Sequence, residues 1–233
     1  MSPFCMKVEV YLKLARLPYR RVMGDPRKAP KGKLPYIEHD GIVVCDSTAI
    51  IEHLERTSTE PFDAGTTEDE KARAHVIGRL FDEGLYFVAL WTRWIDERGW
   101  AVVRTVFDDL VPAPIRWAVV RVVRRGVARS LIGQGTGRHA PEEIFELGRR
   151  DLEALSTLLG DRPYFLGERM RTIDITAYAF LGNIVRFDVD TPLRDVALSK
   201  TNLVAFVERM EANVSAAVKR AAPDEAWRRR EAS

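Results

Sequence analysis

The chain has 233 residues, room for one large domain or two modest ones, and its 46% hydrophobic and 30% charged residues exclude a largely disordered protein. A formal net charge of only +2 argues against a dedicated nucleic-acid binder. Two cysteines, Cys5 and Cys45, are too few for a disulfide framework, so a reducing, cytoplasmic setting is expected. No apolar run reaches the length of a membrane span, no charged-then-apolar leader is evident, and no metal site is expected.

Ser2-Pro3 opens a helix, with a capping side chain followed by proline at the first helical position. Phe4, Val8, Tyr11, Leu12 and Ala15 recur at helical steps and give it one buried face. Ser2 has two readings. One is plain capping. The other is a hydroxyl at a helix N-terminus, where free N–H groups and the dipole favour a bound thiolate. Ser-Pro-Phe-Cys also looks like the Cys-Pro-Tyr-Cys motif of glutaredoxins with serine replacing the attacking cysteine. Cys5 therefore lacks a redox partner and reads as a small buried hydrophobe. Leu17-Pro18 ends the helix, and the alternation of Tyr19 to Met23 predicts a strand. Gly24 to Gly32 is a loop whose Arg27, Lys28 and Lys31, with Lys33 beyond, either face solvent or attract a carboxylate.

Tyr36 to His39, Asp40-Gly41 and Ile42 to Cys45 predict a two-stranded hairpin. Pro35 stands at its entry, where a missing N–H is tolerable. A cis Leu34–Pro35 bond would turn the Leu34 backbone away from the sheet, while an ordinary trans turn is the plain alternative. Asp46-Ser47-Thr48 supplies capping side chains ahead of Ile50, Ile51 and Leu54. A Ser, Thr, Pro and Gly-rich stretch follows, and from Thr67 the chain turns helical. Leu80, Leu85, Val88, Trp91 and Trp94 mark a long helix whose aromatics fit a core better than a pocket; Tyr86 and Trp94 are the two candidates to line an apolar substrate site.

Trp100 to Ile132 is apolar and laced with arginine, and Pro112 and Pro114 divide it into two helices. A basic amphipathic helix can lie on an anionic membrane, giving a possible weak membrane-surface contact. The clustered Val119, Val120, Val122 and Val123 blur its two faces, and a solvated face fits the pattern better. Gly133 to Gly137 reads as a flexible loop without the Lys-Ser/Thr of a phosphate cradle. Pro141 starts another helix, and Thr172 to Phe180 a buried one in which Asp174 caps. Asn202 to Met210 forms a last amphipathic helix, followed by a polar tail around Trp227-Arg228-Arg229-Arg230.

Leu34-Pro35 at a hairpin entry, with Asp46-Ser47 at a helix start eleven residues after the proline, resembles the glutathione site of glutathione transferases. The resemblance covers nearly the whole chain. It is closest to the branch with the failed-axon-connections proteins and the metaxins, through residues 2–9, Gly32 to Ile37, Gly137-Arg138-His139 with Glu142-Glu143, and Asn202 to Phe206. It implies an α/β plus all-α architecture: a thioredoxin-like domain over 1–57, a linker over 58–66 and an all-helical domain over 67–233.

The resemblance also implies roles. Ser2 would hydrogen-bond the glutathione sulfur, and Leu34, before Pro35, would pair its backbone with the cysteinyl part. Asp46 would meet the γ-glutamyl ammonium and Ser47 its carboxylate. A cation of the Arg27–Lys33 loop, with Lys33 a candidate, would hold the glycyl carboxylate. The implied activity joins glutathione, as co-substrate, to a small apolar electrophile, in a homodimer. The alternative it leaves is a non-catalytic scaffold for a protein or membrane partner, as in metaxins.

Three departures stand out. The family's usual central strand before the Ser-Pro-Phe-Cys helix is expected to find no room in this sequence, Arg171 replaces a usual Ser or Thr so that Thr172 is expected to cap, and the loop before Gly32 is too short for a second helix.

Overall fold

A computed structural model describes residues 2–22, 24 and 29–221. The expectations placed on Met23, Arg27, Lys28 and the Trp227–Arg230 tail lie outside those residues. Helix α1 (Pro3–Leu14) begins at Pro3 and buries Val8, Val10 and Tyr11. It stops in a left-handed turn at Arg16 (φ 54°). There the Arg16 and Leu17 N–H groups close back on the Lys13 and Leu12 carbonyls at 3.1 and 3.0 Å, a Schellman arrangement just before Pro18.

Of the strand expected at Tyr19–Met23, residues 19–22 are described and run irregularly along the surface. A strand is stabilised by its cross-strand pairs, and residues 19–22 pair with neither strand of the described sheet. Glu9 of α1 instead gathers this stretch, accepting from Tyr19 at 3.4 Å and pairing with Arg21 at 3.7 Å.

The sheet is the predicted hairpin. Strands β1 (Tyr36–His39) and β2 (Ile42–Cys45) pair antiparallel, Tyr36 opposite Cys45 and His39 opposite Ile42. Asp40 (φ 51°) and Gly41 (φ 75°) make the two-residue turn. Positive φ at both positions is what the right-handed twist of a tight hairpin requires. Helix α2 (Ser47–Thr57) follows and buries Ile50, Ile51 and Leu54 against α1.

The helical part comprises α3 (Glu68–Arg79), α4 (Tyr86–Trp94), α5 (Glu97–Val103), α6 (Val106–Leu110), α7 (Ala113–Gln134), α8 (Pro141–Leu159), α9 (Thr172–Val185), α10 (Pro192–Ser199) and α11 (Thr201–Ala221). A π-helical turn, Leu80–Leu85, joins α3 to α4 without a break. Of the fourteen residues of α9, twelve are buried, because α1, α3, α10 and α11 all pack on it. The core is continuous from Tyr11 and Ile50 to Phe180, Leu203 and Phe206.

Asp174, wholly buried in the first turn of α9, accepts the N–H groups of Arg171 and Phe165, each at 2.8 Å. Thr172 does not cap. Its N–H and hydroxyl go to the Asp63 carboxylate at 3.0 and 2.6 Å. The Arg171 guanidinium donates to the Phe62 and Ala64 carbonyls at 2.7 Å each. Glu55 completes this tie by accepting from Tyr11 Oη, Phe62 N and Asp63 N.

The apolar, arginine-laced stretch forms three helices, because α5 and α6 separate at Arg104-Thr105 ahead of Pro112. Gly133 also departs from expectation. It continues α7, which ends at Gly135 (φ 122°), and Thr136–Arg138 forms a 3₁₀ turn.

Candidate functional site

The first group in the chain is Ser2, exposed at the N-cap position of α1 but making no capping hydrogen bond with its side chain. The Cys5 thiol lies one turn on. Burial pushes that thiol up, and the nearby Ser2 hydroxyl offsets only part of the rise. Cys5 is thus a protonated, half-buried thiol, and Ser2 is the hydroxyl left at the mouth of the helix.

The Leu34–Pro35 peptide bond is cis. Ladder pairing begins only at Tyr36, and no backbone group among the described residues pairs with the Leu34 N–H or C=O. Those two groups form an edge to which an extended peptide can hydrogen-bond. The Leu34 side chain faces back onto Gly24, where a Cβ would lie 2.7 Å from it. Lys33, next in the loop, is exposed.

Asp46 connects β2 to α2 with φ 79°, a left-handed conformation costing an aspartate about 1–3 kcal/mol. The surroundings hold it there, since its Oδ1 accepts the N–H groups of Thr48 at 2.9 Å and Ala49 at 3.4 Å. Asp46 itself remains exposed, while Ser47 is buried. The Ser47 N–H has no partner among the described residues, leaving a first-turn donor for an anion.

Sequence reasoning missed Lys7, which sits beside this helix start. It lies on α1, is only 4% exposed, and its Nζ donates to Thr48 Oγ1 at 2.9 Å. Burial pushes its ammonium down, against the opposing pull of Asp82, Asp46 and Glu52. Asp82 belongs to the π-helical turn. Its Oδ1 is buried with no hydrogen-bond partner among the described residues, and burial pushes its carboxyl up. Lys7 breaks the apolar face of α1, which was the one signal available in the sequence. Asp82 left none, because a π turn has no distinct composition.

Tyr86 and Trp94, the two expected lining aromatics, have different surroundings. Tyr86 is half-buried with its ring 4.8 Å from Phe4 in an edge contact, two residues beyond Ser2. Phe180 closes the cluster, 5.4 Å from Phe4. Trp94 instead packs on Trp100 and Phe107 among α4, α5 and α6. Two shallow depressions exist elsewhere, one around Arg93, Asn183 and Phe187 and one around Thr67, Glu70 and Arg73; neither is lined by Ser2, Leu34, Asp46 or Ser47. Among the described residues, no group of three or more His, Cys, Asp or Glu side chains could hold a metal.

A cis-proline hairpin entry, a strained acidic cap and a serine at a helix mouth, set against an all-helical partner domain, define a transferase-like fold. Residues 3–99 match the family model described as glutathione S-transferase N-terminal domain, and residues 148–210 match the glutathione S-transferase C-terminal domain. The isoprene-epoxide–glutathione S-transferase of Rhodococcus sp. (strain AD45) is 31% identical over 217 residues, covering 90% of this chain and 91% of that protein. The chain belongs to the glutathione S-transferase family.

It is also 30% identical to Failed axon connections of Drosophila melanogaster, over 91% of this chain but 54% of that protein. Human metaxin-2 is 24% identical over 88% of this chain and 80% of its own length. These two likenesses agree with the branch expected from residues 2–9 and Gly32–Ile37. Among solved structures, a glutathione S-transferase of Methylobacterium radiotolerans in complex with glutathione sulfonate superposes with a TM-score of 0.58 at 24% identity, over 93% of this chain and 90% of that one. The beta-etherase LigF of Sphingobium sp. strain SYK-6 superposes with a TM-score of 0.61 at 20% identity, over 92% and 93%. Both establish the fold.

Proposed function

We propose that the protein binds glutathione and transfers its thiolate to a small, apolar electrophile. The observation that carries this reading is the cis Leu34–Pro35 entry together with Asp46, held at φ 79° over an open Ser47 N–H. An extended γ-glutamyl-cysteinyl peptide fits those groups. Its cysteinyl backbone pairs with Leu34, its γ-glutamyl carboxylate meets the Ser47 N–H at the helix start, and its ammonium meets Asp46. Lys33, exposed just before Leu34, is the candidate cation for the glycyl carboxylate.

In this reading Ser2 donates a hydrogen bond to the sulfur and so lowers the thiol pKa, without becoming a nucleophile itself. The thiol proton leaves to solvent and the thiolate attacks an electrophilic carbon. A C–S bond forms as the bond to the leaving oxygen or halide breaks; an epoxide oxygen opened in this way takes up a proton. Phe4 and Tyr86 offer an apolar wall beside Ser2 for such a substrate. The 31% identity to a protein named for isoprene epoxide supports a small epoxide as the first electrophile to assay.

Glutathione titrated against tryptophan emission tests the reading. Saturable binding that Asp46→Ala weakens at least tenfold supports it, and no binding by the intact protein refutes it. The second reading is a scaffold without turnover, favoured by the likeness to metaxin-2. Glutathione binding without conjugation of any epoxide would select it.

A further inference from the structure

Helix α7 has 22 residues, and only Leu131 among them is buried. A helix of that length normally turns a full apolar stripe to a core. The segment falls within residues 100–147, between the two matched family domains. From Leu110 to Pro141 the sequence holds six arginines and no aspartate or glutamate.

The six arginines divide by what they touch. Arg116 ties α7 to α6 through Asp108 and the Val111 carbonyl. Arg124 reaches the Trp94 and Ile95 carbonyls and Glu97, and covers the Trp100 ring. Arg138 closes the C-terminal end on the Ile132 carbonyl. Arg121, Arg125 and Arg129 do none of this. All three are exposed, and none has a hydrogen-bond or ion-pair partner among the described residues.

Their spacing continues from Trp117 in steps of four, so Trp117, Arg121, Arg125 and Arg129 form one ridge along the helix. Trp117 is 72% exposed, and Val122 and Ile115 on the flank of that ridge are 67% and 54% exposed. We propose that the outward face of α7 lies flat on an anionic lipid surface, Trp117, Ile115 and Val122 entering the interface while Arg121, Arg125 and Arg129 meet lipid phosphates.

Charge complementarity argues for this occupant, because the face carries three unneutralised cations and no carboxylate to repel anionic headgroups. The apolar residues argue for a bilayer over a nucleic acid. A polyanionic groove gives Trp117, Val122 and Ile115 nothing to enter, whereas an interface takes an aromatic ring and the long arginine stems together. Helix α7, with five arginines in its 22 residues, is too charged to cross a membrane, so the contact proposed for it is one of surface attachment. It is independent of glutathione binding, since none of these residues lines the site around Ser2 and Asp46.

The test is flotation of the full chain with phosphatidylcholine vesicles prepared with and without phosphatidylserine, at low and high salt. The expected result is binding only to phosphatidylserine vesicles, reversed by salt, with a blue shift in tryptophan emission that Trp117→Phe removes. Replacing Arg121, Arg125 and Arg129 together by glutamine should weaken binding on the order of 100-fold. Helical circular dichroism and glutathione affinity should stay unchanged, because those side chains hold no internal contact.

Any of three outcomes overturns the proposal. The first is equal binding to vesicles with and without phosphatidylserine. The second is undiminished binding by the triple variant. The third is an absence of vesicle binding, in which case duplex DNA capture would assign the face to a nucleic acid, and a dimer that Trp117→Ala converts to monomer would assign it to a second copy.

Discussion

Asp174→Ala is the substitution whose cost the structure specifies most fully. The carboxylate is completely buried and receives two backbone N–H groups, from Phe165 and Arg171, at 2.8 Å each. Alanine leaves both donors unpaired at the start of the helix on which the core is assembled. A buried donor without a partner costs about 1–3 kcal/mol, so the pair costs about 4 kcal/mol. For a chain of this size 1 kcal/mol moves Tm by roughly 2–4 °C, and the expected drop is about 8–16 °C by circular dichroism.

Asp174→Asn keeps one acceptor but turns an amide N–H₂ toward the second donor, so it should recover less than half of the loss. The pH dependence carries a second signature. Burial pushes the Asp174 carboxyl up to about 7, so the folded protein keeps a proton that the unfolded chain gives up near its ordinary value of 3.8. Stability from this group is therefore greatest at low pH and falls as pH rises from about 4 through about 7. Asp151, pushed up to about 6 by burial, adds a slope of the same sign. Asp174→Ala should lose its share of the slope and so approach the wild type as the solution becomes alkaline. A Tm within about 2 °C of wild type at pH near 5 would refute this account of the α9 cap.

The remaining predictions concern packing and the tie between the two parts of the chain. Gly99→Ala should lower Tm by several degrees, because a Cβ there would sit 2.0 Å from the Thr92 carbonyl oxygen, and backbone must move to admit it. Glu55→Ala should destabilise by about 2–3 kcal/mol in urea unfolding, since it strips the acceptor from Tyr11 Oη, Phe62 N and Asp63 N together. Tyr86→Ala should raise KM for an epoxide while leaving glutathione affinity within about twofold, since the ring packs on Phe4 and not on Leu34 or Asp46.

Much of the fold was legible because its punctuation is local. Asp40-Gly41 fixed the hairpin register, Ser2-Pro3 and Pro141 opened helices, and the apolar density from Ile173 to Phe180 marked the buried helix. Tyr19–Met23 misled because alternation describes a side-chain pattern, whereas a strand needs a neighbour for its N–H and C=O groups. Thr172 misled in a similar way. It has a capping hydroxyl, but Asp63, 109 residues away, takes that hydroxyl as a donor.

For the site, Leu34-Pro35 and Asp46-Ser47 were visible as adjacent short motifs. Lys7 and Asp82 were not, because only the folded chain brings the Lys7 ammonium onto Thr48 and into the field of Asp82. The role of α7 was half legible. Its arginines are plain in the sequence, but which of them are spent on internal carbonyls and which face outward emerges only from the three-dimensional contacts.

The most direct test of the transferase reading is glutathione binding measured by titration calorimetry, with the ultraviolet absorbance of thiolate followed in the same samples. The reading predicts saturable binding with a thiolate band at neutral pH, loss of the band with binding retained in Ser2→Ala, and loss of both in Asp46→Ala. Glutathione that fails to bind the intact protein, or that binds equally well to Asp46→Ala, would contradict it.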